Sequence, residues 1–293
     1  MPAPASRLVI HPAVDSDERA AQLRAELDLP RDVAADRART IVEAVRQGFY
    51  LTPQGQRVDI AARIATACSR KISIPPDAPR VSAPARRYDT TVVQVVNDTT
   101  LVAARALTDA GLRPAALNFA NGTRPGGGFL SGARAQEEAL CRCSGLYATL
   151  VDDPMYLHHA GHARHEASAW IILSPDVPII RAESGNWLDE PWLLDVLTCA
   201  APYAPRVGQP RSGDLLRHRI ERLLIVAAAE GADTLVLGAW GCGAFGNDPD
   251  RTARDFRDAL EGPLGEAFRH VVFAVADWSP ERRFLGPFVR AFQ

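Results

Sequence analysis

The sequence has almost no lysine, no long apolar run and no excess of charge of either sign. Only Lys71 is a lysine among 33 basic residues, a bias that a GC-rich genome would explain. Because no run of about 18 apolar residues is present, no membrane-spanning helix is predicted. The first thirty residues mix Asp, Glu and Arg throughout, unlike a basic-then-apolar leader. A net charge of −2 argues against a general surface for nucleic acids.

Disulfide bonds are not predicted either. The chain has five cysteines, an odd number, and Cys141 and Cys143 are too close in sequence for an easy disulfide. These cysteines are typical of reduced thiols in an intracellular protein. We therefore expect a soluble, cytoplasmic protein, and we expect it to be a monomer.

The order of the predicted elements indicates an α/β fold. Apolar residues at helical spacing predict N-terminal helices at residues 15–27, 32–47 and 59–67. A proline-rich segment follows at residues 74–87. Beyond it, strands are predicted at 91–96, 115–119, 170–173, 177–181, 234–237 and 271–275. Helices are predicted at 99–110, 137–150, 215–229 and 251–260. This alternation predicts a mixed sheet with helices. We expect a helical extension (1–80) and a catalytic domain (81–293), forming one structural unit.

One stretch, residues 118–139, combines a glycine-rich loop with acids. Gly126, Gly127 and Gly128 follow Pro125, and no helix or strand interior favours such a run, because glycine loses much backbone entropy on ordering. Glu137 and Glu138 then stand at the start of an apolar-periodic segment that predicts a helix. The combination favours an active site that a ligand approaches closely. The alternative is a flexible surface turn before a helix whose acids suit its dipole.

A second glycine-rich loop, residues 238–247, lies between a predicted strand and a predicted helix. That arrangement points backbone N–H groups at phosphate oxygens. The loop has no P-loop lysine and does not match GxGxxG, so neither a nucleoside triphosphate nor NAD follows from it. A plain tight turn explains this loop alone equally well. Two such loops after strands suggest a diphosphate gripped from both sides.

The spacing of the first loop and the acids resembles a known family. Gly126-Gly-Gly, a spacer at 129–135 and Gln136-Glu-Glu match the signature of the bacterial-type poly(ADP-ribose) glycohydrolases, whose catalytic domain is a macrodomain. The similarity to this family extends from about Arg39 through Ser174-Pro-Asp-Val-Pro and residues 235–249 to residues 273–277, and so covers most of the chain. The resemblance implies a three-layer α/β/α sandwich with a mixed sheet. It also implies hydrolysis of the ribose–ribose bonds of poly(ADP-ribose) or of ADP-ribosylated protein, with ADP-ribose as product.

The resemblance also implies roles for individual residues. Glu138 would be the catalytic acid, Glu137 would hold the distal ribose or the scissile linkage, and Asn121 would bind the same ribose. Both loops would wrap the diphosphate, and Phe245 would pack against the distal ribose. The predicted substrate-binding residues are Asn118, Asn121, Gly126, Gly127, Gly128, Gln136, Gly241, Cys242, Gly243, Ala244, Phe245, Gly246 and Asn247. No metal and no cofactor are implied.

The two acids cannot be an ordinary facing pair of glycosidase carboxyls. Such pairs lie on opposite sides of the bond, whereas adjacent helical residues point about 100° apart. One acid is expected to transfer the proton while the other positions the sugar. Two close carboxylates also raise the pKa of one of them, which favours a protonated donor. The substrate's own diphosphate could supply the counter-charge and orient the water.

Other residues have competing interpretations. His158, His159, His162 and His165 have spacings that could bind a transition metal, but their segment carries no clear helix signature. Cys242 is a candidate nucleophile or simply a small residue beside the ligand. Trp187 and Trp192 could stack on a base, although packing is the simpler role. The pairs Arg86-Arg87 and Arg282-Arg283 are most simply solvated.

Three functions therefore remain open. The first is a hydrolase of poly(ADP-ribose). The second is a macrodomain that binds ADP-ribose without cutting it, against which the two carboxylates argue, since a reader of an anionic ligand gains nothing from them. The third is a hydrolase of single ADP-ribose units on protein or nucleic acid, which only product analysis separates from the first.

Overall fold

A computed structural model of the chain describes residues 7–79, 87–161, 165–262 and 264–293. The strands are β1 Leu8–Ile10, β2 Phe49–Leu51, β3 Arg57–Asp59, β4 Ile72–Ile74, β5 Thr91–Val96, β6 Pro114–Ala120, β7 Ile171–Arg181, β8 Trp187–Ala200, β9 Thr234–Leu237 and β10 His270–Ala274. The α-helices are α1 Asp17–Leu27, α2 Arg31–Gln47, α3 Ala61–Arg70, α4 Thr100–Asp109, α5 Gln136–Cys143, α6 Leu146–Leu150, α7 Pro154–Gly161, α8 Ala204–Val207, α9 Arg211–Ala229, α10 Pro249–Glu261 and α11 Leu285–Ala291.

The chain divides into two compact units. The first unit contains Met1–Ala21, Asp77–Ala115 and Ala201–Gln293, and the second unit contains Gln22–Pro76 and Ala116–Ala200. The predicted boundary between residues 80 and 81 lies outside the described residues. The division into an extension and a catalytic domain therefore stays a prediction.

Parallel strands dominate the first unit. Its strand order is β1-β5-β10-β9, and every described pairing in it is parallel. All four residues of β9 are buried, as expected for a strand inside a parallel sheet. Three phenylalanines, Phe256, Phe273 and Phe288, pack together with ring centroids 5.3 to 6.5 Å apart. This aromatic cluster joins α10 and α11 to β10.

Antiparallel pairing characterises the second unit. Its strand order is β6-β8-β7-β4, with most of β6 in this unit. β7 pairs antiparallel with both β8 and β4. The helix α2 places Ile41 and Ala44 in a buried cluster with Tyr50, Ile60 and Ile180. Gly48 ends α2 with φ 79°, and its N–H donates to Ala44 O, the left-handed helix end that glycine favours.

The predicted α/β class is confirmed, with strands of both directions and helices at the N-terminal end. Strand β5 and strand β9 have the predicted bounds. Asp248 caps α10, accepting hydrogen bonds from the N–H groups of Asp250 and Arg251, and Pro249 suits the first helical position. Among the described residues, no helix is long and apolar enough to cross a membrane.

Several predicted elements were wrong in detail. The helix expected over 137–150 is interrupted at Ser144 and Gly145 and forms α5 and α6. The two strands expected around residues 174–176 are one strand, β7, whose pairing shifts between Ser174 and Val177. A bulge absorbs the turn residues there, with Asp176 at φ 53°.

Other elements were not predicted at all. The long strand β8 and the hairpin β2–β3 lacked a clear alternating pattern. The hairpin occupies residue 59, so α3 begins at residue 61. The histidine-containing segment, read as lacking a helix signature, contains α7.

Candidate active site

The first glycine loop, residues 121–128, follows directly from β6. Gly126 and Gly127 have φ values of 67° and 59°, which residues with a side chain rarely adopt. The Asn121 Oδ1 atom accepts hydrogen bonds from the N–H groups of Thr123 (2.9 Å) and Arg124 (3.0 Å). The Gly127 N–H donates to Arg124 O at 2.9 Å. A side chain and the backbone therefore hold this loop in one tight turn.

The loop lies directly against the two acids at the start of α5. A Cβ atom at Gly127 would lie 2.4 Å from Glu138 Oε1 and 2.9 Å from Glu137 Oε2. The Gly128 N–H donates to Glu138 Oε1 at 2.9 Å. The Asn121 N–H donates to Glu137 Oε2 at 2.7 Å. Glycine at position 127 is therefore required by close approach to the carboxylates as well as by its backbone angle.

Each acid has a different environment. Glu137 is 3% exposed, and Asn118 Nδ2, itself bonded to Thr198 Oγ1 at 3.2 Å, lies 3.5 Å from Glu137 Oε1. Burial raises the pKa of Glu137 well above its ordinary value of 4.5, and the charge of Glu138 raises it further, against the lowering effect of the Asn121 N–H. Glu138 is 8% exposed, and its Oε2 atom has no hydrogen-bond partner among the described residues.

The glutamine of the signature is bound to the end of β6. Gln136 Oε1 accepts a hydrogen bond from the Phe119 N–H at 2.9 Å, and its Nε2 donates to Leu117 O at 2.7 Å. The side-chain amide thus pairs with one backbone N–H and one backbone C=O of β6, as the backbone of a neighbouring strand would. Gln136 thus fixes the start of α5 beside β6, and the following acids take their positions from it.

His159 holds the same loop from α7, a role that the sequence did not reveal. Its side chain is 2% exposed. The Nδ1 atom lies 2.9 Å from Gly122 O, and Nε2 lies 2.6 Å from Ser168 Oγ and accepts from the Ser168 N–H at 3.0 Å. Because Nε2 accepts, Nδ1 must carry the proton that Gly122 O receives.

The remaining histidines do not form a metal site in the described part of the chain. His158 packs against Trp170 with ring centroids 5.3 Å apart. His162 lies outside the described residues. Among residues 7–79, 87–161, 165–262 and 264–293, no group of three or more His, Cys, Asp or Glu side chains is placed to hold a metal ion.

The second glycine loop, residues 238–247, belongs to the first unit and is braced by Asn247. Asn247 Nδ2 donates to Pro202 O (2.9 Å) and Gly241 O (3.1 Å), and its Oδ1 accepts from Ser212 Oγ at 2.6 Å. Gly241 and Gly246 have φ values of 75° and 65°. Gly243 and Ala244 are exposed. The buried Asn247 thus folds the loop so that its middle residues face outward.

Two side chains of the second loop have contrasting surroundings. Burial raises the pKa of Cys242 to about 12, so this thiol stays protonated and is a poor nucleophile near neutral pH. Phe245 is half-buried and meets Tyr203 edge to face, with ring centroids 5.8 Å apart. Trp187, considered for base stacking, is stacked on Tyr50 at 4.7 Å and covered by the Arg181 guanidinium at 3.7 Å. Its packing role is therefore the better interpretation.

The predicted site residues thus form two local groups, one in each unit. The second unit brings together Asn118, Asn121, Gly126, Gly127, Gly128, Gln136, Glu137 and Glu138. The first unit holds Gly241, Cys242, Gly243, Ala244, Phe245, Gly246 and Asn247. The first group has the features of an acid site: two buried carboxylates, backbone donors and one carboxylate oxygen left without a partner.

Comparison with known proteins identifies similar chains. The family model for the catalytic domain of microbial-type PARG, poly(ADP-ribose) glycohydrolase, matches residues 38–182. The crystal structure of poly(ADP-ribose) glycohydrolase from Thermomonospora curvata is 40% identical, covers 89% of this chain and 100% of its own, and has a TM-score of 0.82. The same enzyme bound to the inhibitor ADP-HPD has a TM-score of 0.84 with the same identity and coverage.

A second organism supplies a further similar structure. The poly(ADP-ribose) glycohydrolase from Deinococcus radiodurans in complex with ADP-ribose is 38% identical, covers 78% of this chain and 96% of its own, and has a TM-score of 0.71. No curated protein matches. The macrodomain-like fold expected from the sequence is confirmed by these similarities.

The raised pKa of Glu137 predicts a pH-dependent stability. The folded chain holds this proton more tightly than the unfolded chain, so the stabilising contribution is complete below pH 4.5 and is lost as the pH rises through the folded pKa. We expect the wild type to lose stability relative to Glu137→Gln from about pH 4.5 upward, as measured by urea unfolding. The exposed Glu190→Gln variant is the control. A difference between wild type and Glu137→Gln that stays constant with pH would contradict the assignment.

Proposed function

This chain belongs to the microbial-type poly(ADP-ribose) glycohydrolases, and from that premise we propose that it cleaves ribose–ribose bonds with Glu138 as proton donor. The observation that carries the assignment is the free oxygen of Glu138. Oε1 is held by the Gly128 N–H, while Oε2 is buried without a hydrogen-bond partner among the residues that the structure describes. A carboxyl group held on one side and open on the other is suited to donate a proton to a leaving oxygen.

The proposed reaction follows from this arrangement. Glu138 Oε2 gives its proton to the ribose oxygen that leaves, and the bond between that oxygen and the anomeric carbon breaks. The anomeric carbon becomes oxocarbenium-like and is attacked by water, whose proton returns to Glu138. Ordinary glycosidases use a second carboxyl across the bond. Since Glu137 is tied to Asn121, we assign to it the positioning of the distal ribose, and the substrate diphosphate orients the water.

The loops are assigned to binding. Backbone N–H groups balance phosphate charge without a cation, and we propose this role for Gly126 to Gly128 and, in the other unit, for Gly241 to Gly246. Phe245 is half-buried, and we assign it to packing against the distal ribose. Asn118 has no exposed surface, so we assign it to holding Glu137. Asn247 and Gln136 are assigned to holding the loops, because their polar atoms bond within the protein.

Two other functions are separated by experiment. A hydrolase of single ADP-ribose units would use the same acids and differ in its products. A binding module without activity is disfavoured by the burial of Glu137 and Glu138, since buried carboxylates cost free energy and oppose an anionic ligand. Incubation with labelled poly(ADP-ribose), and separately with a mono-ADP-ribosylated protein, followed by resolution of the products by size, distinguishes all three.

We also propose a cellular location and an oligomeric state for the protein. All five cysteines are free, which is typical of a reducing compartment and supports a cytoplasmic location. Action as a monomer, with poly(ADP-ribose) or ADP-ribosylated protein as substrate, stays our prediction.

Replacing Glu138 tests the proton donor. We expect Glu138→Gln to lower turnover by about 10² to 10⁴-fold, the usual contribution of general acid catalysis, while ADP-ribose still binds. Turnover is followed by product release from labelled polymer, and binding by calorimetry. Glu190→Gln, an exposed glutamate of the same unit, is expected to keep full activity. Near-normal hydrolysis by Glu138→Gln would refute the mechanism.

A bulky residue at Gly243 tests the second loop. A Cβ atom there meets no atom within 4 Å, so Gly243→Val fits without strain while filling the space that a diphosphate needs. We expect unchanged thermal stability and at least tenfold weaker ADP-ribose binding, about 1.4 kcal/mol. Gly161→Val, which also meets no atom, is the control. Calorimetric affinity within threefold of wild type would disprove the role of the loop.

Gly127→Val cannot serve the same purpose in the first loop. Its Cβ would collide with Glu138 and lie close to Glu137. The substitution would therefore change the acids together with the binding surface.

Catalysis is expected to need no metal. Hard divalent ions require several converging oxygen ligands, and Glu137 and Glu138 bond to backbone N–H groups of the loop. We expect full turnover in excess EDTA, and turnover within a few-fold for the combined alanine variant of His158, His162 and His165. His159 is left in place because it holds the loop. Loss of activity on chelation, restored by one added metal, would show that the assigned chemistry is wrong.

A further inference from the structure

A small cavity in the second unit has mainly arginine side chains as its polar lining. We call it the arginine cavity, formed by Arg37 of α2, Arg142 and Cys143 of α5, and Arg181 and Glu183 at the end of β7. Leu27 and Leu29 complete its apolar side. Its volume is about 10 Å³, roughly the room that one water-sized group needs. Neither Glu137 nor Glu138 lines it.

The charges in the arginine cavity do not balance. Three guanidinium groups face one carboxylate, that of Glu183. Arg142 is 6% exposed and Arg181 is 4% exposed. Burial lowers the pKa of Arg142, and the charges of Glu138 and Glu183 act against that lowering. Three guanidinium groups beside one lining carboxylate leave an excess of positive charge, which is unfavourable where the groups are buried.

The hydrogen bonds of the arginines are also incomplete. Arg181 donates from its two terminal nitrogens to Arg37 O (2.8 Å) and Thr40 Oγ1 (2.9 Å), while its buried Nε has no acceptor in the described part of the chain. Arg142 donates to Ala133 O at 2.6 Å. Arg37 donates to the carbonyl oxygens of Glu183 and Ser184. These bonds fix the three side chains in position, and they are all to neutral acceptors.

The groups beside the arginines do not supply the missing negative charge. Burial, together with the charge of Glu183, raises the pKa of Cys143 to about 12 against the opposing charges of Arg142, Arg181 and Arg37, so the thiol stays neutral. Burial also lowers the pKa of Arg181 to about 10, which still leaves it charged at neutral pH. The cavity therefore keeps a net positive charge under physiological conditions.

We propose that the arginine cavity is a binding site for a phosphate group, distinct from the catalytic site. Guanidinium groups favour oxyanions because their planar N–H donors match the oxygens. The volume admits one phosphate oxygen, with the rest of the group at the mouth of the cavity. A bound phosphate would connect α2, α5 and the end of β7. Its ligand Arg142 lies on α5, the helix that carries Glu138, one turn after that residue.

The test measures stabilisation by phosphate and does not depend on hydrolysis. Thermal unfolding of the full chain is compared in phosphate and in chloride at equal pH and ionic strength. A ligand at a hundred times its Kd is expected to raise Tm by about 5 °C in a chain of this size. We expect this saturable rise in the wild type and its loss in Arg142→Gln. Arg134→Gln, an exposed arginine that pairs with Asp28, is the matched control and keeps the rise.

A second variant is needed because Arg142 is buried and Arg142→Gln could fail to fold. Arg37 is only half-buried, so Arg37→Gln is expected to fold and to lose the rise as well. No specific rise in the wild type, or the same rise in both glutamine variants, would overturn the proposal.

Calorimetry with ADP-ribose then distinguishes two sources of the phosphate group. If free phosphate is the occupant, ADP-ribose binds in one equivalent in the wild type and in Arg142→Gln alike. If the nucleotide diphosphate is the occupant, a second equivalent binds to the wild type and is lost in Arg142→Gln or in saturating phosphate. Once the phosphate-specific rise in Tm is observed, the first result assigns the cavity to free phosphate and the second assigns it to the nucleotide. A failure of catalysis by Glu138 would leave both measurements unchanged.

Discussion

The contact between two carboxylates and the backbone of the first glycine loop determines how the candidate site is built. Glu137 accepts the Asn121 N–H and Glu138 accepts the Gly128 N–H, so the acids bind both ends of the loop that lies over them. This arrangement requires residues without side chains at the point of contact. It also leaves one oxygen of Glu138 without a hydrogen-bond partner within the described ranges of the chain. The shape of the loop, its glycine content and the orientation of the two acids therefore depend on one another.

Much of the fold could be predicted because local signals agreed with the tertiary structure. Strand β9 is fully buried and reads as an unbroken apolar run, and α2 combines apolar spacing with a glycine stop. Strand β8 could not be found in this way, because one end is exposed and the other buried, so no single period describes it. The break between α5 and α6 depends on Gly145, whose N–H donates to Pro178 O, a tertiary contact that local sequence cannot show.

The site was predictable where the spacing of residues along the sequence is specific to a catalytic function. The glycine triplet and the two acids could be identified because their separation is characteristic of a family. The partners of these residues could not, since His159 and Asn118 reach the site through tertiary folding. Sequence also could not distinguish which glutamate is more deeply buried, because both occupy the first turn of one helix. Burial raises the pKa of Glu137, the Asn121 N–H lowers it and the charge of Glu138 raises it, and only the folded structure brings these groups together.

The two hydrogen bonds that the Gln136 side chain makes to β6 limit how the chain length of such sequences can vary. By clamping Leu117 and Phe119 to the first residue of α5, they make residues 120–135 a closed ring of backbone rather than an open connection. Residues 121–128 are held at both ends by their N–H bonds to the acids. Residues 129–135 are held as firmly, since a Cβ atom at Gly132 would collide with Arg31 O and Ala133 O accepts a hydrogen bond from Arg142. An insertion is therefore expected in neither part, and both the distance from strand to glycine and the spacing from the third glycine to the glutamine should stay constant among homologues.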